Sequence, residues 1–115
     1  MRIKKAMKTS ELLSRYAVGQ RDFRGVNLMG AQLKKVNLSN ANFSGADLRG
    51  ANLSEANLSH ANLCHATLTG ANFTEANLTM VNLTQTHLSD VNLSRANLHG
   101  AKMPEATLSD GAIHT

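Results

Sequence analysis

The stretch ANLSEANLSHANLCHATLTGANF, residues 51–73, repeats one phrase in which alanine, asparagine and leucine are followed by two further, mostly polar residues. A period of five matches neither the period of an α-helix, 3.6, nor that of a β-strand, 2. On a helix these leucines would scatter around the cylinder, and on a straight strand they would alternate between its two faces. The phrase therefore predicts a chain that bends at every repeat.

The phrase extends far beyond this stretch. Steps of five from Phe23 give 19 consecutive large apolar positions, and the residue two places earlier is alanine or valine in 16 of them. Alanine, asparagine and leucine are predicted to point in, out and in as a short strand, and the next two residues to form a corner. The predicted structural core is Phe23, Leu28, Leu33, Leu38, Phe43, Leu48, Leu53, Leu58, Leu63, Leu68, Phe73, Leu78, Leu83, Leu88, Leu93, Leu98, Met103 and Leu108.

The last residue of each repeat indicates how many repeats complete one turn of the coil. Identical residues recur there at a spacing of 20 in five of 15 pairs, among them Gly30 with Gly50 and Glu55 with Glu75. At a spacing of 15 they recur in one pair of 16. The counts favour a coil of four sides over one of three.

The pattern A-[N/D]-[L/F]-[S/T]-x, as in ANLSE at 51–55, with the variant ADLRG at 46–50, resembles the pentapeptide repeat family. The stretches at 12–28 and 103–115 are similar to the ends of cyanobacterial members. The resemblance implies an all-β solenoid, a right-handed quadrilateral β-helix with four repeats in each 20-residue coil. It covers residues 21–115, or about five coils, and the handedness comes from the resemblance alone.

Three segments follow from this reading. Residues 1–8 are basic and are expected to form a disordered tail. Residues 9–19 are predicted to form a helix that caps the first coil with an apolar face including Leu12 and Tyr16. Residues 20–115 are predicted to form the β-helix of 19 repeats. No helix follows it, so the last coil is expected to be uncapped and the protein to be a monomer or a weak dimer through that end.

Composition and charge limit the classes of function. No stretch approaches the ~18 apolar residues of a membrane span. Cys64 is the single cysteine, which fits a reducing compartment and predicts a cytoplasmic location. Residues 1–24 hold seven basic and two acidic residues, whereas residues 25–115 hold five basic and six acidic ones. The basic charge is therefore concentrated in the N-terminal segment.

The sequence shows no pattern typical of an enzyme. Ser and Thr occupy corners by rule, and no outward histidine has a recurrent acidic partner. A zinc site needs three or four convergent ligands, and only His60, Cys64 and His65 are expected to lie near one another. A packed Leu/Ala axis leaves no interior pocket. We therefore expect no catalytic, cofactor-binding or metal-binding residues.

One part of the surface is predicted to bind a partner. Glycines recur at the corners that border one side of the first coils, and a bare backbone can be approached closely. We name this region the Arg49 surface, and it comprises Arg24, Met29, Gly30, Asp47, Arg49 and Gly50. The alternative is that these glycines are ordinary corner residues.

These observations favour a non-enzymatic scaffold that binds an unidentified protein, and the family resemblance adds the expectation of a regulatory role. The alternative is a DNA mimic that binds a type II topoisomerase, as the family resemblance allows. Imitating phosphates needs an acidic surface, and residues 25–115 carry a net charge of only −1. Nucleic acid is not expected as a partner, since the basic tail alone predicts weak, salt-sensitive binding.

Overall fold

A four-sided coil forms the body of the protein. The computed structural model describes residues 4–104, 106–107 and 113–114. Its elements are α1 (Thr9–Ala17), β1 (Ala106–Thr107) and β2 (Ile113–His114). From Asp22 onward, 13 single-residue parallel pairings join residues 20 positions apart. Four repeats therefore complete one coil, although each side pairs through one residue and not through a strand of three.

The sides are numbered in chain order. The first side carries Phe23 and Phe43, the second Leu28 and Leu48, the third Leu33 and Leu53, and the fourth Leu38 and Leu58. Successive coils are joined by backbone hydrogen bonds, as on the first side, where the N–H of Phe23 donates to the carbonyl of Asn42 at 2.8 Å. The N–H of Asn42 donates back to the carbonyl of Arg21 at 2.7 Å.

Each corner is a turn with a positive φ. The N–H of the next repeat's first residue donates to the carbonyl of the leucine position, as from Ala31 to Leu28 at 3.0 Å. The last residue of every repeat from Gly25 to Gly100 has a φ between 57° and 76°. A type II turn needs a positive φ at this position and favours glycine there. Ten of these residues are not glycine, so the inter-coil ladder holds them in a conformation that costs about 1–2 kcal/mol each.

The asparagine of each repeat has a structural role in the turn. Thirteen residues at this position are Asn or Asp, and the side-chain oxygen of each accepts a hydrogen bond from the backbone N–H two residues later. This bond forms an Asx-turn, which fixes the start of the corner. The side chain therefore faces outward but binds its own backbone.

The core lies along the axis of the coil. Every predicted core residue from Phe23 to Leu88 is at most 2% exposed, and the rings of Phe23 and Phe43 stack with centroids 5.5 Å apart. Leu93, Leu98 and Met103 are partly buried, and Leu108 lies outside the described residues. Burial thus weakens towards the last described coil.

The N-terminal segment differs from the sequence-based expectation. The helix ends at Ala17 and not at residue 19, because Gly19 turns the chain with a φ of 103°. Residues 4–8 do not trail freely: Ala6 pairs in parallel with Asn27, and the N–H of Met7 donates to the carbonyl of Asn27 at 2.8 Å. This segment adds one pairing beneath the second side. Residues 1–3 lie outside the described residues.

The C-terminal segment also departs from the repeat. Continued repeats would pair this chain in parallel with the preceding coil. Instead β1 pairs antiparallel with β2, with Ala106 opposite His114 and Thr107 opposite Ile113. The repeat pattern therefore predicted the solenoid correctly as far as Lys102, which still pairs with Asn82.

Candidate functional site

The Arg49 surface lies on the second side, in the first two coils. Met29 and Arg49 occupy the same turn position one coil apart, and Gly30 and Gly50 follow them at the corner. Met29 is 52% exposed, one of the few large apolar side chains so exposed. Arg24 lies at the corner before this side. The structure therefore places these residues on the second side and at the two corners that border it.

Asp47 holds Arg49 in one orientation. The Nε and Nη2 groups of Arg49 donate to the two carboxylate oxygens of Asp47 at 2.9 and 2.7 Å. Asp47 also accepts the backbone N–H of Arg49 at 3.2 Å. The hydrogen bond from the Arg49 side chain lowers the pKa of Asp47, and the same bond raises the pKa of Arg49. The bidentate geometry leaves the outer donors of the guanidinium available.

Arg24 repeats this arrangement. Its Nε and Nη2 groups donate to Asp22 at 2.8 and 2.9 Å, and the side-chain hydrogen bond lowers the pKa of Asp22. Both pairs belong to an Asp-x-Arg-Gly sequence, at 22–25 and 47–50. The aspartate forms the Asx-turn and the same carboxylate fixes the arginine. Two arginines are thus presented in defined orientations at neighbouring corners.

The glycines of this surface have a conformational explanation. Gly30 and Gly50 have φ values of 70° and 68°, so glycine suits the corner whether or not a partner binds. An added Cβ would meet nothing within 4 Å at either position. At Gly70, the next residue in this column, an added Cβ would lie 3.8 Å from the backbone nitrogen of Gly50. The corner is a bare stretch of backbone open to close approach.

The hydroxyl groups of the turns are already hydrogen-bonded in several repeats. Ser54 and Thr74 donate to the asparagine oxygens of their own turns at 2.7 and 2.6 Å. Cys64 is partly buried, and its N–H donates to Asn62. Within the part of the chain that the structure describes, no three His, Cys, Asp or Glu residues form a group that could hold a metal ion. The structure therefore does not bring His60, Cys64 and His65 together as a metal site.

The third side carries an ion-pair column. Arg95 donates to Glu75 of the preceding coil at 3.3 Å, and Lys34 lies 3.8 Å from Glu55. Lys35 stands in the same column as Glu55 but makes no ion pair with any described residue. These pairs are exposed, and each contributes about 0–1 kcal/mol to stability.

The structure adds a feature that the sequence did not predict. A groove of about 500 Å³ lies between the N-terminal segment and α1, lined by Lys5, Ala6, Met7, Lys8 and Glu11. We name it the tail groove. The basic residues were visible in the sequence, but a basic tail gives no sign that its backbone will pair with Asn27 and form a wall. Among the described residues, no helix has the length and hydrophobicity needed to cross a membrane.

Comparison with known proteins places the fold in context. The family model described as Pentapeptide repeats matches residues 20–50, 51–90 and 71–110, with 8 copies. The pentapeptide repeat protein Rfr23 from the cyanobacterium Cyanothece 51142 is 33% identical, with a TM-score of 0.51, over 85% of this chain and 73% of its own. The protein alr5209 from Nostoc PCC 7120 is also 33% identical, with a TM-score of 0.39, over 90% of this chain and 82% of its own.

A third structure is that of HetL from Nostoc sp. strain PCC 7120, a pentapeptide repeat protein involved in heterocyst differentiation regulation. It is 31% identical, with a TM-score of 0.42, over 81% of this chain and 49% of its own. The chain therefore spans about half the length of HetL. No curated protein sequence matches the chain.

Proposed function

Because the chain belongs to the pentapeptide repeat family, we propose that it is a non-enzymatic scaffold that binds another protein through the Arg49 surface and serves a regulatory role. The observation that carries the proposal is the pair of fixed arginines beside an open glycine corner. The proposal also comprises a right-handed coil, a cytoplasmic location, with which a single free cysteine is consistent, and a monomeric or weakly dimeric state.

Fixed arginines favour recognition of a defined partner surface. A free arginine loses rotamer entropy when it binds, and Asp47 has already ordered Arg49 before any partner arrives. The remaining guanidinium donors can bind carboxylate or carbonyl oxygens. Arginine and methionine are both enriched at protein interfaces, and Met29 stands next to Arg49 in the column.

The open corner supplies the shape for docking. With no Cβ atoms at Gly30 and Gly50, a partner's main chain can reach the peptide groups of the corner. Apart from Met29, the exposed positions of the Arg49 surface are glycines or ion-paired side chains, so little surface must be reordered on binding. Such a surface suits a protein partner better than a small substrate, which would need a concave site.

The DNA-mimic alternative has less support from the described charges. Residues 25–104 contain only four carboxylates, Asp47, Glu55, Glu75 and Asp90. The first three are ion-paired with Arg49, Lys34 and Arg95. A chain that imitates phosphates needs rows of unpaired negative charge.

Site-specific photocrosslinking tests the proposal in the native cell. A benzophenone amino acid at Met29 is expected to give a crosslinked protein band, and the same group at Ser89, in the same column, none. Adding Arg49→Glu and Gly50→Lys should remove the band. Lysine is tolerated at such a corner, since Lys35 has a φ of 64°.

The matched control carries Arg95→Glu and His60→Lys, which makes the same charge changes elsewhere on the coil. It should retain the Met29 crosslink. An equal loss in both variants, or equal crosslinking from Met29 and Ser89, contradicts the assignment of the Arg49 surface.

A further inference from the structure

The extended segment around Ala6, which pairs beneath the second side, has one edge whose backbone groups are unpaired within the part of the chain that the structure describes. In the parallel pairing of Ala6 with Asn27, the N–H of Met7 faces the solenoid and donates to Asn27. The N–H and carbonyl of Ala6 must then point away from the solenoid. Neither group has a hydrogen-bond partner among the described residues. An open edge of this kind can accept a further extended chain.

The tail groove lies beside this edge. It is lined by residues 5–8 and by Glu11, which lies in the first turn of α1. Ala6 and Lys5 are exposed and Met7 is partly buried. The groove therefore offers backbone hydrogen bonds, a small apolar floor and space of about 500 Å³ in one place.

The charge of the groove selects an anionic occupant. Lys5 and Lys8 make no ion pair with any residue that the structure describes, whereas Glu11 is paired with Arg15 at 2.5 Å. Residues 4–35 contain eight basic residues and two acidic ones. Both acidic residues, Glu11 and Asp22, are ion-paired with arginines. The positive charge at this end of the coil is therefore largely unneutralised.

Two other anionic partners fit less well. Single-stranded nucleic acid binds through exposed aromatic side chains on which bases stack. The three phenylalanines are 1% exposed, and Tyr16 lies beneath the guanidinium of Arg21 at 3.6 Å. A membrane surface needs a broad apolar face in addition to basic residues, and the groove offers only Met7 as a large apolar side chain.

We propose that the tail groove binds an extended acidic peptide segment of a partner protein, which adds a strand to the open edge at Ala6 while Lys5 and Lys8 pair with its carboxylates. The inference rests on the proposed function as a protein-binding scaffold and assigns it a second surface with a defined partner class. The added strand would lie about 4.8 Å from residues 5–7, continuing the stack of pairings on the second side.

Fluorescence anisotropy on the purified full chain tests this binding. The probe is a fluorescein-labelled octapeptide of alternating glutamate and valine. Lys5→Glu with Lys8→Glu should weaken its affinity at least about tenfold, which corresponds to about 1.4 kcal/mol. The control, Arg95→Glu with Lys102→Glu, makes the same change in net charge at exposed basic residues near the other end of the coil. It should shift affinity less than about threefold, since distant exposed charges are screened by salt.

A backbone variant separates strand addition from charge attraction. Ala6→Pro removes the outward N–H without changing the charge, and it should weaken binding about tenfold. Ala6→Ser retains the N–H and should bind as the wild type does. Thermal melting within a few degrees of wild type is expected for all variants, because the bond from Met7 to Asn27 is retained.

Several results would overturn the proposal. The first is no binding of the peptide at about 1 mM, since a Kd of that size corresponds to only about 4 kcal/mol. The others are an equal loss of affinity in the two charge variants, and full affinity of Ala6→Pro. Tighter binding of octathymidylate or of phosphatidylserine vesicles than of the peptide would exclude the partner class. Failure here with the Met29 crosslink intact leaves the proposed function standing, and loss of that crosslink alone leaves peptide binding unaffected.

Discussion

At the scale of single residues, asparagine does more for this fold than its polarity suggests. Asn77 accepts the backbone N–H of Thr79 at 3.0 Å and its hydroxyl at 2.5 Å. The Asn77 side chain therefore accepts two hydrogen bonds from the first corner residue, and the second corner residue, Met80, has a φ of 60°. An Asx-turn offsets part of the conformational cost of that corner.

Replacing Asn77 with alanine is expected to lower the free energy of unfolding by about 1–2 kcal/mol, since two hydrogen bonds to a partly buried turn are lost. The control is His87→Ala, because His87 holds the same repeat position, is exposed and makes no Asx-turn bond. It should change stability by less than about 0.5 kcal/mol. Urea denaturation measures both, and equal effects would contradict a role for the Asx-turn.

The Asp47–Arg49 pair gives a pH-dependent prediction. Because the folded pKa of Asp47 lies below its ordinary value of 3.8, the pair stabilises the fold above that value. The contribution is lost as the pH falls through the lowered folded pKa. An NMR titration of the carboxyl carbon should place the midpoint of Asp47 below 3.8 and should move it upward in Arg49→Gln. The Asp22–Arg24 pair is the internal control, and its midpoint should not move.

The sequence predicted which residues fill the axis but not how the corners are maintained. A strict apolar step of five is buried throughout only if the chain turns a corner in every repeat, so the burial of Leu28 to Leu88 followed from the pattern. The positive φ of Glu55 or His60 did not, because local preference disfavours it and the ladder between coils overrides that preference. Likewise, Lys35 stands in the same column as Glu55, but Lys34 forms the ion pair with Glu55. Column position alone does not decide which side chain at a corner reaches a carboxylate on the neighbouring coil.

At the scale of elements, α1 caps the first coil through one apolar and one polar anchor. Leu12 is fully buried, and the hydroxyl of Tyr16 donates to the carbonyl of Ser39 at 2.8 Å. Arg21 stacks on the Tyr16 ring and donates to the Tyr16 carbonyl at 2.9 Å. The amphipathic pattern predicted the helix, but these contacts needed the fold, because Ser39 is 23 positions away.

Tyr16→Phe is expected to loosen this cap without unfolding the coil. The substitution leaves the Ser39 carbonyl without its hydroxyl donor, which costs about 1 kcal/mol. If the amides of α1 exchange when the cap is released, a loss of about 1 kcal/mol should make their hydrogen exchange about fivefold faster. Ser10→Ala, at an exposed position of the same helix, should leave exchange near the wild-type rate. Unchanged exchange in Tyr16→Phe would contradict a capping role for this bond.

At the scale of the whole molecule, the two ends of the coil differ. The basic tail, α1 and the first coil form a charged, covered end, whereas Leu93, Leu98 and Met103 in the last described coil are only partly buried. In a solenoid each coil contacts only its neighbours, so stability is a sum of local terms. Interior coils are therefore expected to unfold only when the whole molecule unfolds. The last described coil is expected to unfold locally before that.

This gradient gives a prediction that compares two chemically identical substitutions. Leu63→Ala removes a fully buried side chain from the middle of the stack and should lower the free energy of unfolding by about 3 kcal/mol. Leu98→Ala acts where the side chain is already partly exposed, and its cost should be about 1 kcal/mol, since less apolar area is lost. Urea denaturation measures the difference, and hydrogen exchange locates it. Leu63→Ala should speed exchange throughout the coil, and Leu98→Ala only near its own repeats. Equal costs with global effects in both variants would mean that the coil unfolds as one unit, and that partial burial at residue 98 does not reflect weaker packing.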